Sequence, residues 1–222
     1  MTGSLGDLGD DAMRAELHRV AEWMADYRAT IEARAIVPAV KPGDIRAAFP
    51  AQMPARGEPM ERVLAELDTV IMPGIVHWGH PAFLGYFGST SNGPALLGEM
   101  VAAALNVSAM TWRTSPAATE LEGVVLAWMR ELVGLPSEFT GIVYDTASVA
   151  MMHALAAARE TVGDVRRRGL AGRPELGAMR VYASDQAHSS VEKSAIVLGL
   201  GEENVVRVPS DAEYRVDVRA LE

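Results

Sequence analysis

Residues 141–155, GIVYDTASVAMMHAL, change their apolar period halfway along. Residues 141–145 read as a short buried strand, and from Ala147 the spacing predicts a helix to about Arg168. The same switch recurs downstream. MRVYAS (179–184) reads as strand, residues 189–200 as helix and NVVRVP (204–209) as strand, with a further helix starting at Asp217. Strand–helix alternation of this kind predicts an α/β fold: a sheet, here of three strands, with helices on its faces. Three strands are few for a doubly covered sheet, and the last helix is cut after six residues, so the sequence reads as the first half of a larger domain.

Upstream the pattern is helical. The first eleven residues read as a flexible tail. Met13, Leu17, Val20, Met24, Tyr27 and Ile31 then fall on one stripe of a helix over about 11–34. A narrow stripe of this kind packs either on its own domain or on another subunit. VKPGDIRAAF (40–49) predicts a turn and a short helix, and residues 58–72 a longer one. The stretch MPGIVHWGHPAFLGYFGSTSNGP (72–94) is irregular and dense in glycine, proline and aromatics, the composition of a functional or interfacial loop. Pro94 opens a helix to Asn106. In TSPAATELEGVVLAWMRELVGLP (114–136), Ser115 stands at the N-cap position, Pro116 in the first turn and Gly134 just past the end.

Composition narrows the function classes. The chain has 222 residues, 49% apolar and 22% charged, enough apolar content for a sizeable core. A formal net charge of −9 disfavours nucleic acid, whose phosphates it would repel. With no cysteine there is neither a disulfide nor a thiolate site, which is compatible with a cytoplasmic protein. The N-terminal residues are acidic and lack the apolar run of a secretory signal. The apolar runs fall short of the roughly 18 residues that a membrane span needs.

Several polar groups stand where chemistry is done. Thr146 and Ser148 lie where a strand runs into a helix, a place whose free N–H groups attract phosphate; the same hydroxyls could equally cap the helix. His188 follows a strand on the loop entering the next helix, where α/β proteins place ligands. It could serve as base, ring-stacking partner or helix cap. His77 and His80 flank Trp78 without a third ligand at metal spacing, so no zinc site is expected. His18 and His153 lie in helices and read as structural, and Glu120 and Glu122 fall on different helix faces, so they do not pair as acid and base.

Four segments taken together carry a resemblance: HWGHPAFLGYFGSTSNGPALLGEMVAAALNV, TWRTSPAATELEGVVLAWMRELVGLP, DTASVAMMHALAAARE and ASDQAHSSVEKSA, in that order. In them the chain resembles the group II pyridoxal-phosphate-dependent decarboxylases, the family of aromatic-L-amino-acid decarboxylase, from about Val20 to its end and over the N-terminal half of such an enzyme only. The resemblance implies a partial fold type I large domain, that of the aspartate aminotransferase class, preceded by an N-terminal helical segment. The tail would be 1–11, the helical, dimer-forming segment 12–75 and the first half of the cofactor-binding α/β domain 76–222.

What the family implies for single residues follows the same motifs. Thr146, Ala147 and Ser148 match its phosphate loop, with Asp145 in place of a glycine and Val149 in place of a glutamate. His188 matches the histidine that stacks on the pyridine ring. Trp78, Tyr86, Phe87 and Ser89 match the substrate-pocket segment, and Ser108 and Met110 the positions where a neighbouring subunit closes that pocket. The implied cofactor is pyridoxal 5′-phosphate and the implied reaction is decarboxylation of an amino acid, with aromatic L-amino acids expected first. Alternatives are another lyase of this fold, acting on a non-aromatic amino acid or a phosphorylated amino-alcohol, or a non-catalytic interaction subunit. The family's Schiff-base lysine and the aspartate facing the pyridine nitrogen lie downstream of these motifs. The chain has only Lys41 and Lys193, and neither matches that lysine. A complementary C-terminal polypeptide, from a split gene or a cleaved precursor, is therefore the expected partner, within a homodimer of the assembled enzyme.

Overall fold

The computed structural model describes residues 8–86, 88 and 92–221. They form two compact units that meet in sequence between Asn106 and Val107.

The first unit is helical. Helix α1, Asp10–Thr30, begins with Asp10 and Asp11 and has Arg28 in its last turn, which suits the helix dipole at both ends. It runs into a 3₁₀ turn, Ile31–Ala33. Tyr27 is the anchor of its inward side. The Tyr27 ring stacks on Trp23 at 5.7 Å, Arg34 lies 5.3 Å from its centroid, and its hydroxyl is 3.0 Å from Nδ1 of His77. Trp23 donates through Nε1 to Asp68 (2.9 Å), so one helical turn of α1 grips two later segments. Helix α2, Asp44–Ala47, is the short helix expected after the VKPG turn.

The helix expected over 58–72 is divided. Helix α3, Met60–Glu66, passes into a π-helical turn, Leu67–Ile71, and then a 3₁₀ turn, Met72–Gly74. Pro73 lacks the N–H that a straight α-helix would bond at that position, so the last turns adopt other ladders. Helix α4, Gly93–Leu105, is capped by Asn92, whose Oδ1 accepts from Ala95 N–H (2.9 Å). It ends on Asn106 in the left-handed region.

In the second unit, helix α5, Pro116–Leu132, stops before Gly134, whose φ of +71° suits a residue without Cβ. Ser115 holds the cap position but makes no side-chain cap bond; it is nearly buried, and its carbonyl accepts from Thr119 Oγ1 instead (3.0 Å). Two departures from the expected pattern follow. Residues 141–145 form no strand: no neighbouring strand pairs with them among the described residues, and Ile142 and Val143 stay exposed. The helix expected to reach Arg168 ends earlier. Helix α6, Ala147–Glu160, and the short α7, Val165–Arg168, are parted by a turn in which Gly163 and Asp164 both take positive φ.

Strands β1, Val181–Ser184, and β2, Val205–Val208, are parallel neighbours, with Val181 opposite Val205 and Ser184 opposite Val208. Parallel pairing demands a crossover, and helix α8, Ser190–Val197, supplies it, packing on β2 and on α6. Val191 and Ala195 of α8 bury themselves with Val208 of β2 and Val165 of α7 as the small core of this unit. The sheet thus has two described strands rather than three. A final turn of helix, α9, spans Val218–Leu221.

The sizeable core expected from composition is not closed. No large side chain is fully buried among the described residues. Leu121, Val124, Trp128 and Leu132 leave an apolar face of α5 exposed, beside a groove of about 390 Å³ lined by Leu126, Met129, Val133 and Phe139. No described helix is long and apolar enough to cross a membrane.

Candidate active site

The head of α6 is built by Thr146. Its backbone is extended (φ −139°), and its Oγ1 accepts from Val149 N–H at 3.2 Å, so the capping role is real. A hydroxyl that accepts one hydrogen bond still has a proton to donate. Ala147 and Ser148 follow at the exposed start of a 14-residue helix whose first turn carries no acidic residue. The helix dipole therefore favours an anion at this end, with backbone N–H groups, the Thr146 proton and the Ser148 hydroxyl available to it and the exposed Asp145 carboxyl, immediately before the cap, opposing it.

His188 sits on the loop between β1 and α8. Its Nδ1 accepts from Ser190 N–H (3.2 Å), while its carbonyl accepts from Val191 N–H. An imidazole that accepts at Nδ1 carries its proton on Nε2 when neutral, so this bond fixes the tautomer and restrains the ring. The side chain is exposed, and its outer edge is free to face a ligand. Ser190, Val191, Ser194 and Ala195 of the helix that follows are buried, so the N–H that holds the ring belongs to a well-packed helix start.

The loop itself is fastened to β2. Asp185 N–H donates to the Val208 carbonyl (2.9 Å), and Asp185 Oδ1 accepts from Ser210 Oγ (2.6 Å). That hydroxyl holds the Asp185 carboxyl below its usual range, with Gln186 and Ser184 adding to the effect. Arg207 of β2 reaches the same loop from below.

The C-terminal ends of α6 and α8 meet where Arg159 Nη1 donates to the Leu198 carbonyl (2.9 Å), and the two helices pack against each other. Two packed helices whose C-terminal ends meet run in the same direction. Their starts, Thr146–Ser148 and His188–Ser190, consequently face the same end of the pair.

The aromatic residues lie in the first unit. Trp78 stacks on Tyr86 at 5.4 Å with the planes 7° apart, and Phe83 tilts against Trp78 at 5.1 Å. They line a pocket of about 290 Å³ with His80, Pro81 and Leu84. Tyr86 takes a φ of +57°, unusual for a bulky residue, and the stack on Trp78 holds it there. Phe83 went unnamed in the sequence, although it stands three residues before Tyr86 in the same loop. Phe87 and Ser89 lie outside the described residues. Ser108 and Met110 are exposed on the segment before α5.

The remaining polar residues have structural partners. His77 is 4% exposed and tied to Tyr27; burial lowers its pKa, with Arg34 and His80 adding to the shift. Glu120 accepts from Trp112 Nε1 (2.7 Å) and Glu122 from Val143 N–H (3.4 Å), so each acts alone. His153 meets Tyr144 edge to face at 4.5 Å. No cluster of three metal-ligating side chains occurs among the described residues. Lys41 lies in the turn before α2 and Lys193 on the exposed side of α8.

The pattern of the pyridoxal-dependent decarboxylase conserved domain matches residues 42–222. Tryptophan decarboxylase 1 of Oryza sativa subsp. japonica is 34% identical over 227 residues, covering 96% of this chain and 44% of that protein. Aromatic-L-amino-acid decarboxylase of Sus scrofa is 37% identical over 216 residues, covering 91% and 43%. Among solved structures, Catharanthus roseus tryptophan decarboxylase in complex with L-tryptophan superposes with a TM-score of 0.89 at 30% identity, over 98% of this chain and 47% of that one. The chain spans less than half the length of these relatives, and its α/β unit is a partial fold type I large domain. By the match over residues 42–222 and by these relatives, the chain belongs to the pyridoxal-dependent decarboxylase family.

Proposed function

We propose that this chain is part of a pyridoxal-phosphate-dependent decarboxylase of aromatic L-amino acids. The observation that carries the reading is the shared end of α6 and α8. One helix start offers hydroxyls and N–H groups with no acidic residue in its first turn, and the other offers an imidazole held by Ser190 N–H.

These residues fit the cofactor. The N–H groups at the head of α6, the Thr146 proton and the Ser148 hydroxyl would hold the phosphate, and His188 would keep the ring flat through its face. Pyridoxal phosphate, when bound, supplies an electron sink for the pair left behind as carbon dioxide departs. The chain's own part is orientation and shielding. In the α/β unit His188 presents a rigid surface; in the helical unit, taken by itself, Trp78, Phe83 and Tyr86 offer a flat apolar patch of the kind that receives an aromatic side chain.

Two further parts belong to the same reading. The cofactor-bonding lysine comes from residues beyond those of this chain, in a complementary C-terminal polypeptide or segment that covers the apolar face of α5. The assembled enzyme is a cytoplasmic homodimer, with residues 12–75 at the pairing surface and Ser108 and Met110 closing the partner's pocket. A different lyase of this fold, acting on a non-aromatic amino acid, is the second reading, since Ser108 and Met110 are not the bulkiest apolar groups that could close such a pocket.

The test is a side-by-side assay of the complete enzyme with pyridoxal phosphate and single amino acids, following carbon dioxide and amine release. Tryptophan, tyrosine or phenylalanine should turn over fastest. Faster turnover of glutamate than of any aromatic amino acid would overturn the aromatic assignment, and absence of amine from every substrate would overturn the decarboxylase reading.

A further inference from the structure

We infer that Arg207 is a positioning residue for His188, acting as a fork on β2 that fixes the loop on one side of the histidine and the helix on the other. The inference rests on the reading above, in which His188 faces the cofactor ring.

Arg207 stands opposite Ala183 in the parallel ladder, so its backbone belongs to the most regular element of the unit. Its Nη1 donates to two carbonyls of the loop, Ser184 and Ala187, each at 3.1 Å. Its Nε and Nη2 both donate to Oε1 of Glu192, at 3.0 and 2.6 Å. Ala187 immediately precedes His188, and Glu192 lies one turn past it on α8. A single planar guanidinium therefore brackets the histidine in sequence and in space. Lysine cannot do this, because an ammonium is a point charge without a fixed fork. Both partners of the ion pair are about one-third exposed (31% and 32%), so the value of the contact lies in its geometry more than in its charge.

The opposite edge of the loop is held separately, by the bonds from Asp185 to Val208 and Ser210. Those bonds place Asp185. Beyond it, Ala187 N–H donates to the Ser184 carbonyl (2.9 Å) and the His188 ring is held by Ser190 N–H. Arg207 is the side chain that ties this end of the loop to β2 and to Glu192. Loss of the fork would free the Ala187 carbonyl and Glu192, so that His188 shifts together with the helix start that restrains its ring, while the loop stays attached at Asp185. Displacement of an orienting group by about 1 Å can cost up to about 10²-fold in rate.

The test uses Arg207→Met, Arg207→Lys and Glu192→Leu in the complete enzyme, each also combined with His188→Ala. Arg207→Met should lower kcat by at least about 10-fold with little change in KM, since the group acts on ring placement and not on substrate binding. Arg207→Lys should behave like Arg207→Met, and Glu192→Leu, which removes the acceptor, should move kcat in the same direction by less. In the His188→Ala background the Arg207 substitutions should cost nothing further. A second readout needs no catalysis. Amide hydrogen exchange of this chain over residues 185–190 should speed up at least about 10-fold in Arg207→Met, with exchange in α6 unchanged.

Restoration of kcat by Arg207→Lys, or equal losses with and without His188, overturns the proposal. So does unchanged exchange over 185–190. Near-normal turnover of His188→Ala alone overturns the ring-facing reading itself, a result visible whatever the Arg207 variants do. If Arg207→Met fails to fold, Glu192→Leu decides: unchanged kcat and exchange count against the fork, and the expected shifts in both count for it.

Discussion

The Tyr27 hydroxyl lies 3.0 Å from Nδ1 of His77, joining α1 to the loop that carries Trp78. His77 is 4% exposed, and burial, Arg34 and His80 all disfavour its charged form. With its folded pKa below the ordinary value, the unfolded chain binds the extra proton first as pH falls. The contribution of His77 to stability is therefore complete above pH about 6.5 and is lost as pH drops from there through the lowered folded value. Thermal melts between pH 8 and 5 should show the first unit weakening on the acid side, and His77→Gln should flatten that dependence. An acid branch identical in the two proteins would assign the effect to other groups.

Thr146 and Ser148 should separate experimentally. Thr146 both caps α6 and offers its proton to an anion, so Thr146→Ala should cost about 1 kcal/mol of stability as well as cofactor affinity. Ser148 has no cap bond to lose. Ser148→Ala should leave the melting temperature nearly unchanged while weakening pyridoxal phosphate by about 1.5–3 kcal/mol, the range for a hydrogen bond to a charged group. Titration followed by cofactor fluorescence checks this in the assembled protein. Equal affinity in wild type and Ser148→Ala would leave the hydroxyl a bystander.

The aromatic stack should govern substrate binding more than turnover. Replacing Trp78 by alanine removes the surface on which both Tyr86 and Phe83 rest. The expected result is an increase of about 10-fold in KM for aromatic substrates, with a smaller effect on aliphatic ones. Phe83→Leu should act in the same direction, more weakly. KM values measured for one aromatic and one aliphatic amino acid decide it, and parallel changes for both would mean that the stack only supports the loop.

Helix α1 was legible from its apolar period alone, and α4, α5 and α8 because apolar period, cap-type residues and stop residues agree. Asn92 and Gly134 do what their residue types allow. The Thr146–Ser148 motif was equally local, and Thr146 caps α6 as its residue type allows. The misses have non-local causes. Residues 141–145 carry strand-like side chains, but a strand needs a neighbour, and none lies beside them among the described residues. The break after Glu160 depends on positive φ at Gly163 and Asp164, which periodicity across the ETVGDV turn conceals. Phe83, the Tyr27–His77 bond and the Arg207 fork join residues far apart in sequence or hidden among similar neighbours. No spacing rule marks Arg207, 20 residues past the carbonyl of Ala187, as the residue that holds it.

The last expectation concerns the lysine. On the reading proposed here, neither Lys41, in a turn of the helical unit, nor Lys193, on the exposed side of α8, bonds the cofactor. The described apolar surface points the same way. Trp128 and Leu132 are 60% and 86% exposed on α5, and Ile142 and Val143 are 58% and 57% exposed on the segment before α6. Surfaces of this kind associate through core-like contacts, which are larger and more apolar than transient ones. Borohydride reduction of the chain with pyridoxal phosphate, followed by digestion and mass spectrometry, should leave Lys41 and Lys193 with only trace label. In the presence of the complementary segment the label should concentrate on a lysine of that segment, as decarboxylase activity appears. Dominant label at Lys41 or Lys193, together with activity of this chain by itself, would refute the need for a complement.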